Sequence, residues 1–262
     1  MTTIHDLSAW KAEGRRFAML TAYDYPTARI LDEAGIPVLL VGDSVANVVL
    51  GYDTTLPVTM QEMLHHTRAV ARGATNALVV GDMPFLSYQA SPEEAIRNAG
   101  RFLKEGGAHA VKLEGPHLEL VGRMTSQGIP VMGHLGLTPQ SVHQMGGYRV
   151  QARSEEGAER LLEDALGLEK SGIFALVLEG VPAAVARRVT EALHAPTIGI
   201  GAGPGCDAQV LVVHDLLGMS FEPPPRFVKP QADLRAEITR AARAFAAEVE
   251  SGAFPDEGHS YS

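Results

Sequence analysis

Eight short apolar runs, separated by segments with helical periodicity, recur from one end of the chain to the other. Most of the runs are rich in leucine or β-branched residues and lack polar alternation, which is typical of parallel strands buried on both faces. They lie at residues 17–22, 37–42, 77–81, 108–113, 130–133, 174–178, 197–200 and 210–213. This order predicts an α/β fold, with a parallel (β/α)8 barrel as the leading interpretation and a doubly wound open sheet as its rival.

The segments between the runs carry signals for helix ends. Ser91 before Pro92 predicts the start of one helix, which the pair Gly106-Gly107 would end. Ser154 predicts the start of another. A last helix carries an apolar stripe made of Leu234, Ile238, Ala241, Phe245 and Val249. No low-complexity linker divides the chain, so we expect residues 1–262 to form one barrel domain with a C-terminal helix and a short tail.

Composition excludes several classes of function. The formal net charge of −9 argues against a nucleic-acid partner, which would need a clustered basic face. No apolar run approaches the roughly 20 residues needed to cross a bilayer, and the first residues do not resemble a secretory signal. Cys206 is the single cysteine, which excludes an internal disulfide framework. We therefore expect a cytoplasmic protein without a membrane partner.

Four acidic residues directly follow apolar runs. They are Asp43, Asp82, Glu114 and Glu179. Taken singly, each is an ordinary helix-cap or turn residue. In a parallel barrel, however, the carboxyl ends of all strands share one rim, where active sites of this fold lie. Like charges on one rim repel each other unless a cation or a substrate compensates them, so together they indicate a functional site.

Two further ionisable residues lie at the same predicted rim. Lys112 and Glu114 are two residues apart on one strand, so their side chains point to the same face. They could form a structural ion pair or take part in function, and the sequence leaves both interpretations open. His134 follows the fifth apolar run, and a structural and a functional role are equally open for it.

The acids at the rim offer oxygen ligands only. Asp43, Asp82 and Glu114 therefore suit a hard divalent ion such as Mg²⁺. A metal that binds the carboxylate and keto oxygens of an α-keto acid would acidify the neighbouring carbon. Glu179, on a different strand and between the apolar Leu176 and Leu178, is expected to be a buried base that takes this proton. The glycine-rich stretch at residues 199–205 does not match G-x-G-x-x-G, so no dinucleotide cofactor is expected.

Several longer motifs resemble those of the ketopantoate hydroxymethyltransferase family. The resemblance runs from about Phe17 to the final helix. Its motifs are Thr21-Ala22-Tyr23-Asp24, Val41-Gly42-Asp43-Ser44, Asp82-Met83-Pro84-Phe85, Val111-Lys112-Leu113-Glu114-Gly115, Gly133-His134-Leu135-Gly136-Leu137-Thr138-Pro139-Gln140-Ser141 and Gly146-Gly147-Tyr148. The chain departs from the family at Cys206-Asp207-Ala208-Gln209, where Thr-Asp-Gly-Gln is usual, and in the proline-rich stretch 221–226.

The resemblance implies a single (β/α)8 TIM barrel of the phosphoenolpyruvate/pyruvate-type superfamily. It implies an enzyme of pantothenate biosynthesis that moves a hydroxymethyl group from 5,10-methylenetetrahydrofolate to 3-methyl-2-oxobutanoate and forms 2-dehydropantoate. The implied cofactor is Mg²⁺, and the implied assembly is a homodecamer in the cytoplasm.

The resemblance also implies a role for each matching residue. By motif position, Asp43 and Asp82 would bind the metal and, through it, the substrate, with Glu114 as a third member of the metal site. Ser44 and Lys112 would contact the substrate. Glu179 would remove the C3 proton of the keto acid, and the resulting enolate would attack the one-carbon unit.

Three alternatives remain at this point. Lys112 could form a Schiff base, as in metal-independent aldolases. The chain could be a metal-dependent C–C lyase of the isocitrate lyase or phosphoenolpyruvate mutase type, although those enzymes carry a catalytic cysteine in a context that Cys206 does not share. It could also be a barrel that binds a ligand without catalysis.

Overall fold

The structure is a computed structural model that describes residues 1–147 and 149–261. Tyr148, the last residue of the Gly146-Gly147-Tyr148 motif, and Ser262 lie outside the described residues. The chain divides into two compact units, Met1–Val212 and Val213–Ser262. In the part of the chain that the structure describes, no helix combines the length and the apolar character that crossing a membrane requires.

The first unit contains a closed barrel of eight parallel strands. Each strand pairs with the next one along the chain, and the eighth pairs with the first. The strands are β1 Phe17–Thr21, β2 Val38–Val41, β3 Leu78–Asp82, β4 Ala110–Glu114, β5 Val131–Gly136, β6 Ala175–Glu179, β7 Thr197–Ile200 and β8 Ala208–Leu211. The barrel prediction is confirmed over the open sheet. The eighth strand begins two residues before the apolar run that predicted it.

One helix precedes the first strand of the first unit, and the others connect its strands. They are α1 Ile4–Ala12, α2 Tyr25–Glu33, α3 Val45–Val48, α4 Met60–Gly73, α5 Pro92–Arg101, α6 Leu118–Ser126, α7 Val142–Met145, α8 Glu155–Lys170 and α9 Ala183–Ala192. Ser91 and Ser154 accept backbone N–H groups at the starts of α5 and α8, as predicted. A π-helical turn, Phe102–Gly106, extends α5 to Gly107, whose φ of 75° ends the helical segment.

The inward side chains near the amino ends of the strands form an apolar core. Met19, Leu40, Val80 and Val177 belong to it, and Leu7 of α1 is fully buried in the same cluster. Helix α1 therefore covers the amino end of the barrel, and the carboxyl end is left for polar groups.

As far as residue 261, the second unit contains the helices α10 Val213–Leu216 and α11 Leu234–Ser251 and a short 3-10 turn, Glu257–His259. The predicted last helix is confirmed. Its apolar stripe is not covered within the described residues, because Ile238, Phe245 and Val249 each remain about half exposed.

Candidate active site

The barrel brings the predicted ionisable residues together at the carboxyl ends of five neighbouring strands. Those that lie on strands continue the inward-facing positions of the apolar core, because residues two apart on a strand share a face, whereas Asp43 lies beyond the end of β2, three residues after Leu40. Asp43 follows β2, Asp82 ends β3, Lys112 and Glu114 lie on β4, His134 lies on β5 and Glu179 ends β6. All of them are buried except Glu179, which is partly exposed.

Lys112 forms a buried ion pair with Asp82. The parallel register places these two residues side by side, and Lys112 Nζ lies 2.8 Å from Asp82 Oδ1. The ion-pair partner of Lys112 is therefore Asp82, from the neighbouring strand, and not Glu114 two residues away. Lys112 Nζ also lies 3.2 Å from His134 Nδ1. Burial by itself lowers the pKa of Lys112, but the surrounding carboxylates outweigh it and raise that pKa, so the side chain carries a positive charge.

Asp43 lies next to this pair and adds a second carboxylate. Its backbone N–H donates to Asp82 Oδ2 over 3.2 Å, and its own Oδ2 accepts a hydrogen bond of 3.0 Å from Gln140 Nε2. Burial, followed by repulsion from Asp82 and Glu114, raises the pKa of Asp43 well above its usual range. Burial also raises the pKa of Asp82, despite Lys112. The site thus carries more negative charge than its own side chains neutralise, which favours a bound cation.

His134 lies between two carboxylates on neighbouring strands. Its Nδ1 is 3.4 Å from Glu114 Oε1, and its Nε2 is 3.3 Å from Glu179 Oε2. Burial and the nearby Lys112 lower the pKa of His134, but its interactions with Glu114 and Glu179 outweigh them and raise that pKa to about 9. The interaction with His134 likewise lowers the pKa of Glu114 against the effect of burial. The structure thus places His134 within the site.

Glu179 occupies the open side of the cluster. Its side chain is 19% exposed, whereas the side chains of Lys112 and His134 are 4% and 3% exposed. The expectation of full burial, based on Leu176 and Leu178, is wrong because side chains alternate along a strand. The two leucines are buried on the outer face of the barrel, and Glu179 points inward.

Ser44 follows Asp43 and is partly buried. Its Oγ lies 2.8 Å from the hydroxyl of Tyr23, and either atom can be the donor. Tyr23 itself is buried, so this contact fixes the position of the Ser44 hydroxyl beside the carboxylates.

Gln140 is a site residue that the residue pattern did not single out. It lies in a 3-10 turn, Pro139–Ser141, in the segment that follows β5, and it contacts both Asp43 and Glu114. An uncharged amide in a turn carries no spacing signal. Its place in the long motif at residues 133–141 was the one available indication.

The donor set fits Mg²⁺ through two carboxylates. Within residues 1–147 and 149–261, no three His, Cys, Asp or Glu side chains form a group that could hold a metal ion together. Asp43 and Asp82 are adjacent, however, since the Asp43 backbone N–H donates to Asp82 Oδ2, and Asp82 Oδ1 pairs with Lys112. Mg²⁺ in proteins commonly uses one or two carboxylates and completes its shell with water and substrate oxygens. Glu114 Oε2 instead accepts the Gln140 backbone N–H over 3.0 Å.

Comparison with known proteins gives consistent sequence matches. Residues 1–257 match the family model described as ketopantoate hydroxymethyltransferase. The 3-methyl-2-oxobutanoate hydroxymethyltransferase of Syntrophus aciditrophicus (strain SB) is 59% identical over 253 residues, which cover 96% of this chain and 93% of that protein. The protein of the same name from Thermobifida fusca (strain YX) is 60% identical over 264 residues, covering 99% of this chain and 93% of the relative.

Solved structures share the fold at much lower sequence identity. A phosphonopyruvate hydrolase in complex with oxalate and Mg²⁺ aligns with a TM-score of 0.65 at 13% identity and covers 99% of this chain and 93% of its own. A 2,3-dimethylmalate lyase, a member of the PEP mutase/isocitrate lyase superfamily, aligns with a TM-score of 0.63 at 17% identity and covers 99% and 92%. These similarities confirm the barrel fold.

Proposed function

The chain belongs to the ketopantoate hydroxymethyltransferase family, and from that premise we propose that it is the enzyme that forms 2-dehydropantoate from 3-methyl-2-oxobutanoate and 5,10-methylenetetrahydrofolate. The observation that carries the proposal is the convergence of Asp43 and Asp82 beside Lys112, in a cluster that opens at Glu179. This arrangement offers a place for a cation, a positive charge for an anionic substrate and a carboxylate near the open side.

Asp43 and Asp82 would hold Mg²⁺. When bound, the ion draws electron density from the keto oxygen of the substrate and makes the C3 hydrogen more acidic. Lys112, held at 2.8 Å from Asp82, would stabilise the negative charge that develops on that oxygen. Ser44, fixed by Tyr23, would donate a hydrogen bond to the substrate. Glu114 would lie beside the metal and position His134, because its Oε1 contacts His134 and its Oε2 accepts the Gln140 backbone N–H.

Glu179 would be the base that accepts the C3 proton. It is the carboxylate of the cluster that is open enough to meet a substrate, and His134 orients it through Nε2. The electron pair left at C3 then forms the new carbon–carbon bond with the one-carbon unit of the folate. Both C–N bonds of that unit break, water supplies the hydroxyl oxygen, and tetrahydrofolate leaves with one hydrogen from C3 and one from water on its nitrogens. Positioning both partners in one cavity makes this step effectively unimolecular.

The structure disfavours a Schiff base at Lys112. A Schiff base needs a neutral amine, whereas Lys112 is buried against Asp82 with a raised pKa. We do not propose a C–C lyase, because the lyases and mutases that align with this chain do so at identities that show the fold alone.

We further propose, from the family resemblance, that the chain acts as one barrel domain with a C-terminal helix and assembles into a cytoplasmic homodecamer. Analytical ultracentrifugation of the purified protein tests the assembly. A sedimentation mass of about ten times the chain mass of 27.9 kDa supports a decamer, and a monomer contradicts it.

The activity is tested by mass spectrometry of the products. The purified protein is incubated with 3-methyl-2-oxobutanoate and 5,10-methylenetetrahydrofolate, with Mg²⁺ or with a chelator. We expect 2-dehydropantoate only when both the folate and Mg²⁺ are present, and we expect excess Mg²⁺ to restore activity after chelation. Failure to form the product under any of these conditions contradicts the proposal.

A second measurement separates catalysis from ligand binding. In D₂O with Mg²⁺ and no folate, the C3 hydrogen of 3-methyl-2-oxobutanoate should exchange for deuterium, which proton NMR follows directly. Binding of the keto acid without exchange would favour a non-catalytic binding protein. A stable adduct on Lys112 after borohydride treatment with the keto acid would favour the Schiff-base alternative.

A further inference from the structure

Gln140 lies in the segment that follows β5, and its hydrogen bonds connect the carboxyl ends of β2, β3 and β4. Its Nε2 donates to Asp43 Oδ2 over 3.0 Å, at the end of β2, and to the Met83 carbonyl over 2.9 Å, directly after Asp82 at the end of β3. Its backbone N–H donates to Glu114 Oε2 over 3.0 Å, at the end of β4. The side chain is buried, so each of these bonds is made away from bulk water.

The amide of Gln140 can take only one orientation in this network. Its Oε1 accepts a hydrogen bond of 2.7 Å from the Tyr88 hydroxyl and one of 3.2 Å from Gln89 Nε2. Both N–H groups of Nε2 are then used by Asp43 and Met83, so the donors and acceptors of the amide are fully matched. A flipped amide would turn Oε1 towards the Met83 carbonyl, which offers it no donor, and would set Nε2 against the donor Gln89 Nε2.

Tyr88 is itself fixed in place. Its hydroxyl lies 3.2 Å from the Glu114 backbone N–H, which donates to it, and its ring packs edge-on against His117. The hydroxyl is buried. Tyr88 therefore connects β4 to the Gln140 amide and keeps Nε2 directed at Asp43.

We infer that Gln140 is a positioning residue that holds Asp43 for the metal and Glu114 for His134, with Tyr88 fixing the orientation of its amide. This inference rests on the proposed function, since it assigns Asp43 to Mg²⁺. The amide N–H partly offsets the repulsion that Asp43 meets from Asp82 and Glu114, and it fixes the position of Asp43 Oδ2. Residues that orient metal ligands in this way typically contribute 10- to 100-fold to metal affinity or activity.

The test is Gln140→Met, which preserves the length of the side chain and the backbone N–H to Glu114 but removes all four hydrogen bonds of the side-chain amide. Mn²⁺ alone is the probe, and the free ion is quantified by electron paramagnetic resonance during titration. We expect Gln140→Met to bind Mn²⁺ about 10- to 100-fold more weakly than the wild-type protein. We also expect a higher apparent KM for Mg²⁺ in the transfer assay, with a smaller change in kcat.

Asn98→Leu is the matched control for loss of a buried amide. Asn98 Nδ2 donates to the Ser87 carbonyl over 2.8 Å, and among the described residues it forms no hydrogen bond with a carboxylate of the site. This variant should have a lower melting temperature and an unchanged Mn²⁺ affinity. If it weakens Mn²⁺ binding as much as Gln140→Met does, the effect is merely structural and the inference is wrong.

Two further variants complete the test. Tyr88→Phe should weaken Mn²⁺ binding, although less than Gln140→Met does. If Gln140→Met does not fold, Tyr88→Phe provides the test instead. Wild-type Mn²⁺ affinity in Tyr88→Phe would overturn the inference. Asp43→Asn tests the metal site itself. If it binds Mn²⁺ as the wild-type protein does, the proposed metal site fails; if only Gln140→Met retains wild-type affinity, the role of Gln140 alone fails.

Discussion

Near the amino ends of the strands the barrel interior is filled with apolar side chains such as Val80 and Val177, whereas two residues further along the same strands it holds Asp82 and Glu179. The backbone geometry of the two ends is the same. The amino end stabilises the fold by removing apolar surface from water. The carboxyl end buries ionisable groups, and both their desolvation and the repulsion between like charges cost free energy. The barrel thus separates stability from chemistry along its axis.

Two buried aspartates show the same contrast at the level of single groups. Asp32 and Asp43 are 4% and 5% exposed, so both side chains have little surface in contact with water. Burial opposes ionisation of Asp32 too, but donors from Asn76, Ala77 and Thr75 outweigh it and lower its pKa to about 2. For Asp43, burial is reinforced by its neighbouring carboxylates, and its pKa is raised. The number and sign of the partners, not burial alone, decide whether a buried carboxylate stabilises the fold.

The largest effect is expected for Glu179→Gln. The substitution keeps the shape of the side chain and its place next to His134 but removes the base, so kcat and the rate of C3 hydrogen exchange should both fall by about 10²- to 10⁴-fold. Deuterium exchange into 3-methyl-2-oxobutanoate, followed by NMR, measures the loss. Calorimetry should show that the keto acid still binds.

Glu191→Gln provides the control, because Glu191 is an exposed residue of α9. It should retain full exchange. If Glu179→Gln exchanges the C3 hydrogen at the wild-type rate, another group is the base and the role proposed for Glu179 is wrong.

At the opposite end of the barrel, Met19→Ala should affect stability and not chemistry. Met19 is fully buried in the apolar core, and removing most of its side chain should lower the free energy of unfolding by about 3 kcal/mol. Urea denaturation measures this change. The folded protein should keep its wild-type kcat, since Met19 lies on β1 below the ionisable cluster.

Met19→Leu conserves most of the volume and should cost less than about 1.5 kcal/mol. A large loss of kcat in either folded variant would show that the two ends of the barrel are not separable in this way.

The fold was largely predictable because its pattern is local. Uninterrupted apolar runs and the caps at Ser91 and Ser154 depend on neighbouring residues in the sequence. The start of the eighth strand was less predictable, because Ala208 and Gln209 lack the aliphatic character of the run that follows. Their pairing with β1 makes them part of the sheet. Which strand pairs close a barrel is a long-range property, and the pattern alone left an open sheet possible.

The site was predictable as a set of acids but not as a set of contacts. The positions of Asp82 and Glu114 after apolar runs placed both on the rim. Their partners depend on the register between strands, which sets Asp82 beside Lys112 and Glu114 beside His134. Gln140 reaches the site from a turn, 97 residues beyond Asp43 in the chain, and no periodicity relates the two.

Asp32→Asn should reveal the stabilising carboxylate through pH. The folded-state pKa of about 2 lies below the ordinary value of 3.8, so the ionised form stabilises the fold above about pH 4 and this contribution is lost as the pH falls towards 2. The difference between the two pKa values corresponds to about 2 kcal/mol. Urea denaturation should therefore show Asp32→Asn to be about 2 kcal/mol less stable than wild type at pH 7, with a smaller difference at pH 3.

Asp53→Asn is the control, because Asp53 is exposed in the loop between α3 and α4, and it should leave this pH dependence unchanged. A difference between Asp32→Asn and wild type that stays constant from pH 7 to pH 3 would show that the hydrogen bonds to Asp32 stabilise the fold without favouring its charged form.

Asp43→Asn should change the free energy of unfolding by less than Asp32→Asn does, and in the opposite direction. The raised pKa means that the folded state of the wild-type protein binds this proton more tightly than the unfolded state does, so stability rises as the pH falls through the folded-state pKa. Replacing Asp43 with a neutral side chain removes a buried charge, and in metal-free buffer at pH 7 it should raise the free energy of unfolding by about 1 kcal/mol while abolishing transfer activity. The part of the pH dependence due to Asp43 should disappear with it. If thermal unfolding instead shows Asp43→Asn to be less stable than wild type, its bond to Gln140 outweighs the repulsion from Asp82 and Glu114, and the carboxyl end of the barrel contributes to stability as well as to chemistry.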